Sequence, residues 1–365
     1  MIKLLELFGG IGACTKAFKR LGIEHEVVDY VEIDKFAVAS YNAINNTNFS
    51  PQDISQWDKD VDVDFIMHGS PCQDYSLNGR NQGGDEGSGT RSSLMYETVR
   101  IVEKLRPKYV VWENVRNVLS YRHKHNFDKY LGKMESLGYT NYYQLLNAKD
   151  FGIPQNRTRI FVVSIQNDLG VFFEFPQRKD LKLTLKDMLE TNVDEKYTLN
   201  DEQMQYITTE KRVNNYQNTA ITLTAKCQNH VQDSFIKVAV PNRAGFQKAY
   251  EGDCINIAYP HSATKRGRVG HQIAQTLMCN DTLAVVTEGL VTRRMTPREY
   301  FRLMGFDDLD FDKATSVTSD TQLYKQAGNS IVVNVLEAVL TNLLINPSHE
   351  EIKQLNIFDF IKTGE

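Results

Sequence analysis

The chain has 365 residues, 41% of them hydrophobic and 24% charged, with a formal net charge of −4. That length and apolar content allow a sizeable core in more than one average domain and exclude a disordered chain. The acidic balance argues against a surface that binds nucleic acid indiscriminately.

From the N-terminus, "KLLELF" (3–8) predicts a buried strand and "ACTKAFKRLG" (13–22) a helix ending at Gly22. "EVVDYVEID" (26–34) and "KFAVASYNAIN" (35–45) predict the next strand and helix, and "DFIMH" (64–68) a strand. "SSLMYETVRIVEKLRP" (92–107) predicts a helix stopped by Pro107, "KYVVWEN" (108–114) a strand, and "FDKYLGKMESLGY" (127–139) a helix. "YYQLLNA" (142–148) and "TRIFVVSI" (158–165) close the series as strands. Near-continuous apolar strands alternating with helices predict an α/β protein: a Rossmann-like, mostly parallel sheet with helices on both faces. From 177 to about 290 the chain is richer in Asn, Gln, Thr and Gly, which predicts a separate, irregular module. Helical patterning returns at 296–305 and again at 330–346.

The apolar N-terminal run is short and interrupted by Glu6, unlike a secretory signal. No stretch is read as long enough to span a membrane, so a cytoplasmic protein is expected. Five scattered cysteines (Cys14, Cys72, Cys227, Cys254, Cys279) predict neither a disulfide framework nor a CxxC zinc site. The pair His123 and His125 has no Cys, Asp or Glu at ligand spacing and is read as solvated surface, so no metal is expected. A basic stretch at 260–272 holds Lys265, Arg266, Arg268 and two histidines with no acid.

Ligands of open parallel sheets bind beyond the C-terminal strand ends. The first strand ends in "FGGIG", where Gly9, Gly10 and Gly12 allow a tight turn before a helix N-terminus. The second ends at Glu32, about the spacing that suits a ribose diol. The third glycine of GxGxxG is replaced by Thr15, which disfavours a dinucleotide and is compatible with a nucleoside lacking phosphate. Asp53 and Ile54 in "PQDISQ" suit an exocyclic amine and an adenine face, or a plain surface turn. Two later strand ends carry reactive groups: Cys72, after Pro71 in a polar turn, and Glu113, whose buried carboxyl should have a raised pKa. In "PQNRTRIFVVSI", Gln155, Arg157 and Arg159 alternate and are expected on one face of one strand, suited to oxygen or phosphate recognition or to a basic edge.

In order, "ELFGGIG", "EID", "QDI", "GSPCQDYS", "ENV", "QNRTR" and "QAGNSIVVNV" resemble the DNA (cytosine-5)-methyltransferase family, from residue 6 to 335. Two departures stand out: Glu6 where the family has Asp, and Gly9-Gly10 where it has Ala-Gly. The resemblance implies a catalytic domain at 1–176 and 322–365, with a target-recognition domain at 177–321. It implies Cys72 as the nucleophile on cytosine C6, a protonated Glu113 at N3, and Arg159 with Arg157 at O2 and the nearby phosphate. It implies S-adenosyl-L-methionine held by Phe8, Gly10, Gly12, Glu32, Ile33, Asp53, Ile54, Pro71, Leu94, Asn329 and Ser330. The glycine-rich stretch 76–93, with Arg80 and Arg91, resembles the family's closing loop, and stretch 265–268 is a candidate for phosphate or guanine contact. The implied partner is duplex DNA at a short specific sequence, with the chain acting as a monomer. A separately encoded cognate restriction endonuclease would share that sequence. A hydride-transfer enzyme, a catalytically dead DNA-binding protein and an RNA cytosine methyltransferase are the competing readings.

Overall fold

The computed structural model describes residues 1–75, 83–208, 235–259, 262 and 267–347. Its first half runs β1 (Ile2–Leu7), α1 (Ala13–Arg20), β2 (His25–Val31), α2 (Lys35–Asn45), β3 (Phe65–His68), α3 (Met95–Leu105), β4 (Tyr109–Val115), α4 (Lys124–Ser136), β5 (Tyr139–Asn147), β6 (Gln155–Asn156) and β7 (Thr158–Gln166). One sheet of order β2-β1-β3-β4-β7-β5 forms the frame. β2, β1, β3 and β4 run parallel, while β7 lies antiparallel between β4 and β5. The sheet is therefore mixed.

Its strands are apolar on both faces because both faces are covered. Leu4, Phe65, Val111 and Phe161 point into one cluster with Phe18 of α1. Their neighbours Leu5, Ile66, Val110 and Val162 point into another with Val99 of α3 and Tyr130 of α4. From β1 the chain crosses to β2 on one side and later returns to β3 on the other. That divergence opens a crevice at the C-terminal ends of β1 and β3.

The second module contains α5 (Asp201–Ile207) and short strands: β8 (Ile236–Ala239), β9 (Phe246–Ala249), β10 (Cys254–Asn256), β11 (Val269–Gly270), β12 (Ala274–Gln275), β13 (Leu283–Val286) and β14 (Thr292–Arg294). β11-β10-β13-β14 form an antiparallel sheet over a small core with Leu199, Ile255 and Val286, and β8-β9 a hairpin. β12 pairs in parallel with β6, joining this module to the segment before β7.

The chain ends in α6 (Pro297–Leu303), α7 (Asp308–Thr315), α8 (Asp320–Asn329) and α9 (Val333–Leu340). Phe301 of α6 and Phe311 of α7 sit in the same cluster as Phe18 and Phe65, so the segment from Met295 onward packs into the large core. Neither α7 nor α8 is predicted from the sequence. In α8 the apolar positions are few (Leu323, Tyr324, Ala327) among polar residues, and all three are buried. The helix predicted from 330 starts instead at Val333, because Ser330 is extended.

The run Asp320–Ile345 has the length to cross a membrane and holds an 18-residue window of mean hydropathy 1.5, against the expectation. It is broken at Ser330–Val332, and Leu323, Val333, Leu336 and Val339 lie in the core, which explains its apolarity.

Candidate active site

Cys72 follows β3 in a turn that β4 grips from the side. The Asn114 side-chain amide donates to Ser70 O at 3.1 Å and to Ser70 Oγ at 3.3 Å, and Trp112 Nε1 donates to Ser70 Oγ at 3.0 Å. The strand end that carries Glu113 thus also holds the turn that carries Cys72. The sequence reading gave Asn114 no role, although "ENV" was singled out. Its signal was position: an amide at a strand end beside a carboxyl.

β4 and β7 pair so that Glu113 faces Phe161 and Val115 faces Arg159. Residues 113 and 159 therefore share one face of the sheet. Arg159 Nε lies 3.2 Å from Glu113 Oε1, yet among the described residues that buried oxygen has no aligned hydrogen-bond donor. Burial raises the Glu113 carboxyl, opposed by Arg159 and then Arg157. Burial also raises the Cys72 thiol; Arg159 and Arg157 pull it down and Glu113 pushes it up. The thiol, already above neutrality in its ordinary range, is held neutral at pH 7, and the carboxyl is shifted toward its protonated form.

Arg157 sits differently from Arg159. The strand is interrupted at this residue, between β6 and β7, so Gln155, Arg157 and Arg159 do not share one strand as expected. Arg157 is buried, and its guanidinium donates to Ser330 O at 2.8 Å, Gly328 O at 3.1 Å and Leu277 O at 3.4 Å. Burial lowers its pKa to about 9, so it stays cationic. It ties the C-terminal end of α8 and the segment after β12 to the sheet. Gln155 ties the end of α6 and the same segment after β12, donating to Leu303 O at 2.8 Å and accepting from Leu277 N at 3.2 Å. These fixed carbonyls account for both residues; Arg159 remains the guanidinium beside Glu113.

The segment after β12 also carries Cys279, which sequence reasoning counted only as unpaired. Its thiol lies 3.0 Å from Asn329 Oδ1, and burial, then Cys72, raise it. The base of the glycine-rich stretch is stapled: Asp74 N donates to Ser92 Oγ and Ser92 N to Asp74 Oδ2, both at 3.1 Å. Arg91 reaches Gln73 Oε1 at 3.2 Å. Residues 76–82, with Arg80, lie outside the described residues.

At the other end of the crevice, Phe8, Gly10 and Gly12 have φ of 53°, 54° and 82°. Glu32 accepts from Gly10 N at 3.2 Å and Asp34 N at 2.9 Å. Asp34 caps α2 and pairs with Lys325 at 2.6 Å. Asp53 caps a short turn, accepting from Ser55 N at 2.9 Å. Ile54 is buried with Trp57 in the cluster against which Phe8 and Leu94 pack. Ile33, by contrast, is 67% exposed. Pro71 and Asn329 are at least partly exposed, while Ser330 is buried. A Cβ at Gly10 would meet no atom within 4 Å, so the turn faces open space there. A carboxylate, an aromatic ring and an open glycine turn fit a nucleoside bearing a sulfonium, and Thr15 is occupied with Glu6 rather than offered to a phosphate. The Glu6 departure is absorbed here: it is buried, accepts from Thr15 N at 2.9 Å, and burial raises its carboxyl to about 7.

Two surface expectations change. His123 is buried edge-on against Tyr75 at 5.3 Å, and only His125 is exposed, against Asp85 at 2.6 Å. Arg268, expected among the nucleic-acid contacts, is buried. It donates to the carbonyls of Asn256 (3.2 Å), Ala258 (2.9 Å) and Tyr259, gripping its own loop. Lys265, Arg266 and His261 of that stretch, and Cys227, lie outside the described residues.

A family model described as C-5 cytosine-specific DNA methylase matches residues 2–344. The type II methyltransferase M2.ScrFI of Lactococcus lactis subsp. cremoris is 33% identical over 94% of this chain and 99% of that protein. The type II methyltransferase M.SsoII of Shigella sonnei is 31% identical over 94% and 80%. Among solved structures, a DNMT2 variant from Spodoptera frugiperda aligns with a TM-score of 0.61 at 21% identity, covering 94% of this chain and 99% of that one. A putative DNA modification methyltransferase encoded within an E. coli prophage aligns at 0.62 and 21%, over 94% and 98%. These structures share the fold. With the match spanning almost every described residue, the chain belongs to the C-5 cytosine-specific DNA methylase family and is a DNA (cytosine-5)-methyltransferase.

Proposed function

We propose that the chain transfers a methyl group from S-adenosyl-L-methionine to C5 of a cytosine flipped out of duplex DNA at a short specific sequence, through a covalent Cys72 adduct. It would act as a monomer in the cytoplasm, as the modification partner of a separately encoded restriction endonuclease with which it need make no direct contact. Residues 1–176 and 322–365 would form the catalytic unit, of which 348–365 lie outside the described residues, and 177–321 the recognition unit, whose end from Met295 on packs into the catalytic core.

The observation that carries this reading is the buried Glu113 Oε1 beside Arg159, without an aligned donor of its own among the described residues. A buried unsatisfied oxygen is costly in a resting protein and useful if a substrate supplies the partner. C5 of cytosine is a poor nucleophile. Cys72 gives up its thiol proton to solvent as its sulfur bonds to C6, and the ring's electron pair moves toward N3, where Glu113 supplies the proton. Arg159 holds O2 and offsets the developing charge. C5 is then enamine-like. Once C5 is methylated, its proton leaves to a base and the C6–sulfur bond breaks. Arg157 contributes by fixing the carbonyls of 277, 328 and 330 around the site.

The donor supplies an electrophilic methyl group when bound. Phe8, Gly10, Gly12, Glu32, Ile33 and Asp53 would hold it, with Ile54, Pro71, Leu94, Asn329 and Ser330 around them. The target atom is buried in a duplex, so the base must leave the stack. The staple Asp74–Ser92 would anchor the loop that covers it.

Expression in a host that lacks cytosine methylation, followed by sequencing for 5-methylcytosine, tests the function. Modified cytosines in one sequence context, absent with Cys72→Ser, are expected. Their absence with the wild-type chain would contradict the proposal.

A further inference from the structure

The departure at Gly9 has a structural counterpart in β2. A Cβ built on Gly9 would lie 2.5 Å from Cε2 and 2.8 Å from Cδ2 of Tyr30, closer than real side chains approach. Tyr30 is fully buried, and its hydroxyl donates to Gly10 O at 2.5 Å. Gly10 N meanwhile donates to Glu32 Oε2 at 3.2 Å. Both backbone groups of Gly10 are therefore held from β2, by residues two apart that flank the strand's end. Tyr30 is itself stacked on Tyr41 at 3.8 Å between ring centroids, and Tyr41 lies 2.7 Å from where a Cβ at Gly12 would be. The two rings form a wall against which the left-handed turn 8–12 is moulded.

We propose that Tyr30 is a positioning residue for the methyl donor. Its ring takes the volume a side chain at residue 9 would fill, and its hydroxyl fixes the Gly10 carbonyl, so the turn is shaped before the donor arrives. This rests on the reading that the turn 8–12 holds S-adenosyl-L-methionine. The phenol suits the task because burial raises its pKa, which keeps the hydroxyl a donor. A turn with three left-handed residues, one of them Phe8, is held only where its surroundings over-determine it. Preorganisation of this kind acts on donor affinity and not on the chemistry that follows.

Isothermal titration with S-adenosyl-L-methionine tests the proposal on wild type, Tyr30→Phe, Gly9→Ala and the double variant Gly9→Ala/Tyr30→Ser. Loss of one hydrogen bond predicts donor affinity weaker by about fivefold in Tyr30→Phe, with kcat at saturating donor unchanged. Gly9→Ala should bind more weakly still, and the double variant should recover part of that loss because the ring is gone. In the donor-free protein, amides 9–12 of Tyr30→Phe should exchange faster than in wild type. Wild type that binds the donor while Tyr30→Phe and Gly9→Ala match it would overturn the positioning role alone. Wild type that binds no donor would overturn the donor-site reading, and the proposal with it.

Discussion

Arg159 Nε stands 3.2 Å from Glu113 Oε1 across two antiparallel strands, close enough to attract but not aligned to hydrogen-bond. The pair leaves the carboxyl oxygen available to a third partner. Glu113→Gln should therefore fold and bind the donor normally but lose about 10²–10⁴ in kcat, the usual worth of a placed acid. It should also lower the Cys72 thiol, since Glu113 is the carboxyl that raises it. Steady-state kinetics and alkylation rates across pH read both effects; a wild-type kcat would remove Glu113 from the acid role.

Arg159 pulls down both the Cys72 thiol and the Glu113 carboxyl against burial. Its removal raises both. In Arg159→Ala both limbs of the kcat/KM profile, which report the two ionisations, should move together to higher pH. The maximum should fall by about 10²–10³, as for a lost electrostatic contact. Arg159→Lys, which keeps the charge, should leave the limbs near their wild-type positions. A pH profile that does not move in the alanine variant is the contrary result.

Asn114 grips Ser70 and so the turn ending at Cys72. Asn114→Ala strips a donor from the buried Ser70 carbonyl, a cost of about 1–3 kcal/mol in unfolding free energy. It should reduce kcat and alter the rate of Cys72 alkylation while donor affinity holds. Denaturant titration with calorimetry separates the two, and unchanged alkylation would make Asn114 a purely structural residue.

His68 is buried against Tyr130 and Trp112, and burial lowers its pKa to about 3 from an ordinary 6.5. The unfolded chain takes the proton first, so stability is full above about 6.5 and falls as pH drops toward 3, by about 1.4 kcal/mol per pH unit. Glu6, raised to about 7 from 4.5, acts oppositely: it favours the folded state below 4.5, and that gain is lost as pH rises to 7. The comparison of wild type with His68→Gln isolates the histidine, because Glu6 is common to both. The difference in slope should appear between pH 6.5 and 3; parallel curves would contradict a neutral buried ring.

The strand–helix alternation of the first half was readable because doubly covered strands are continuous apolar runs, and Cys72 and Glu113 were readable because they interrupt such runs at their ends. Arg157 was not separable from Arg159 by alternation alone, since the strand is interrupted between β6 and β7 and Arg157 goes to the carbonyls of 277, 328 and 330. Arg268 read as a surface cation because charge in sequence does not say which carbonyls enclose it. α8 was missed because its few apolar positions are scattered through a polar stretch and only tertiary packing buries them. Tyr30 looked like one more aromatic in an apolar strand. Its meaning appears only when the empty space at Gly9 is set beside it.

The central claim is that Cys72 bonds to cytosine. Duplex DNA containing the methylated sequence with 5-fluorocytosine at the target tests it, because a C5 fluorine cannot leave as the proton does and the adduct cannot resolve. With S-adenosyl-L-methionine present, the wild-type chain should form a denaturation-resistant protein–DNA complex whose peptide mass maps to Cys72, and Cys72→Ser should form none. A complex that survives in Cys72→Ser, or methyl transfer to ordinary DNA by that variant at the wild-type rate, would contradict it.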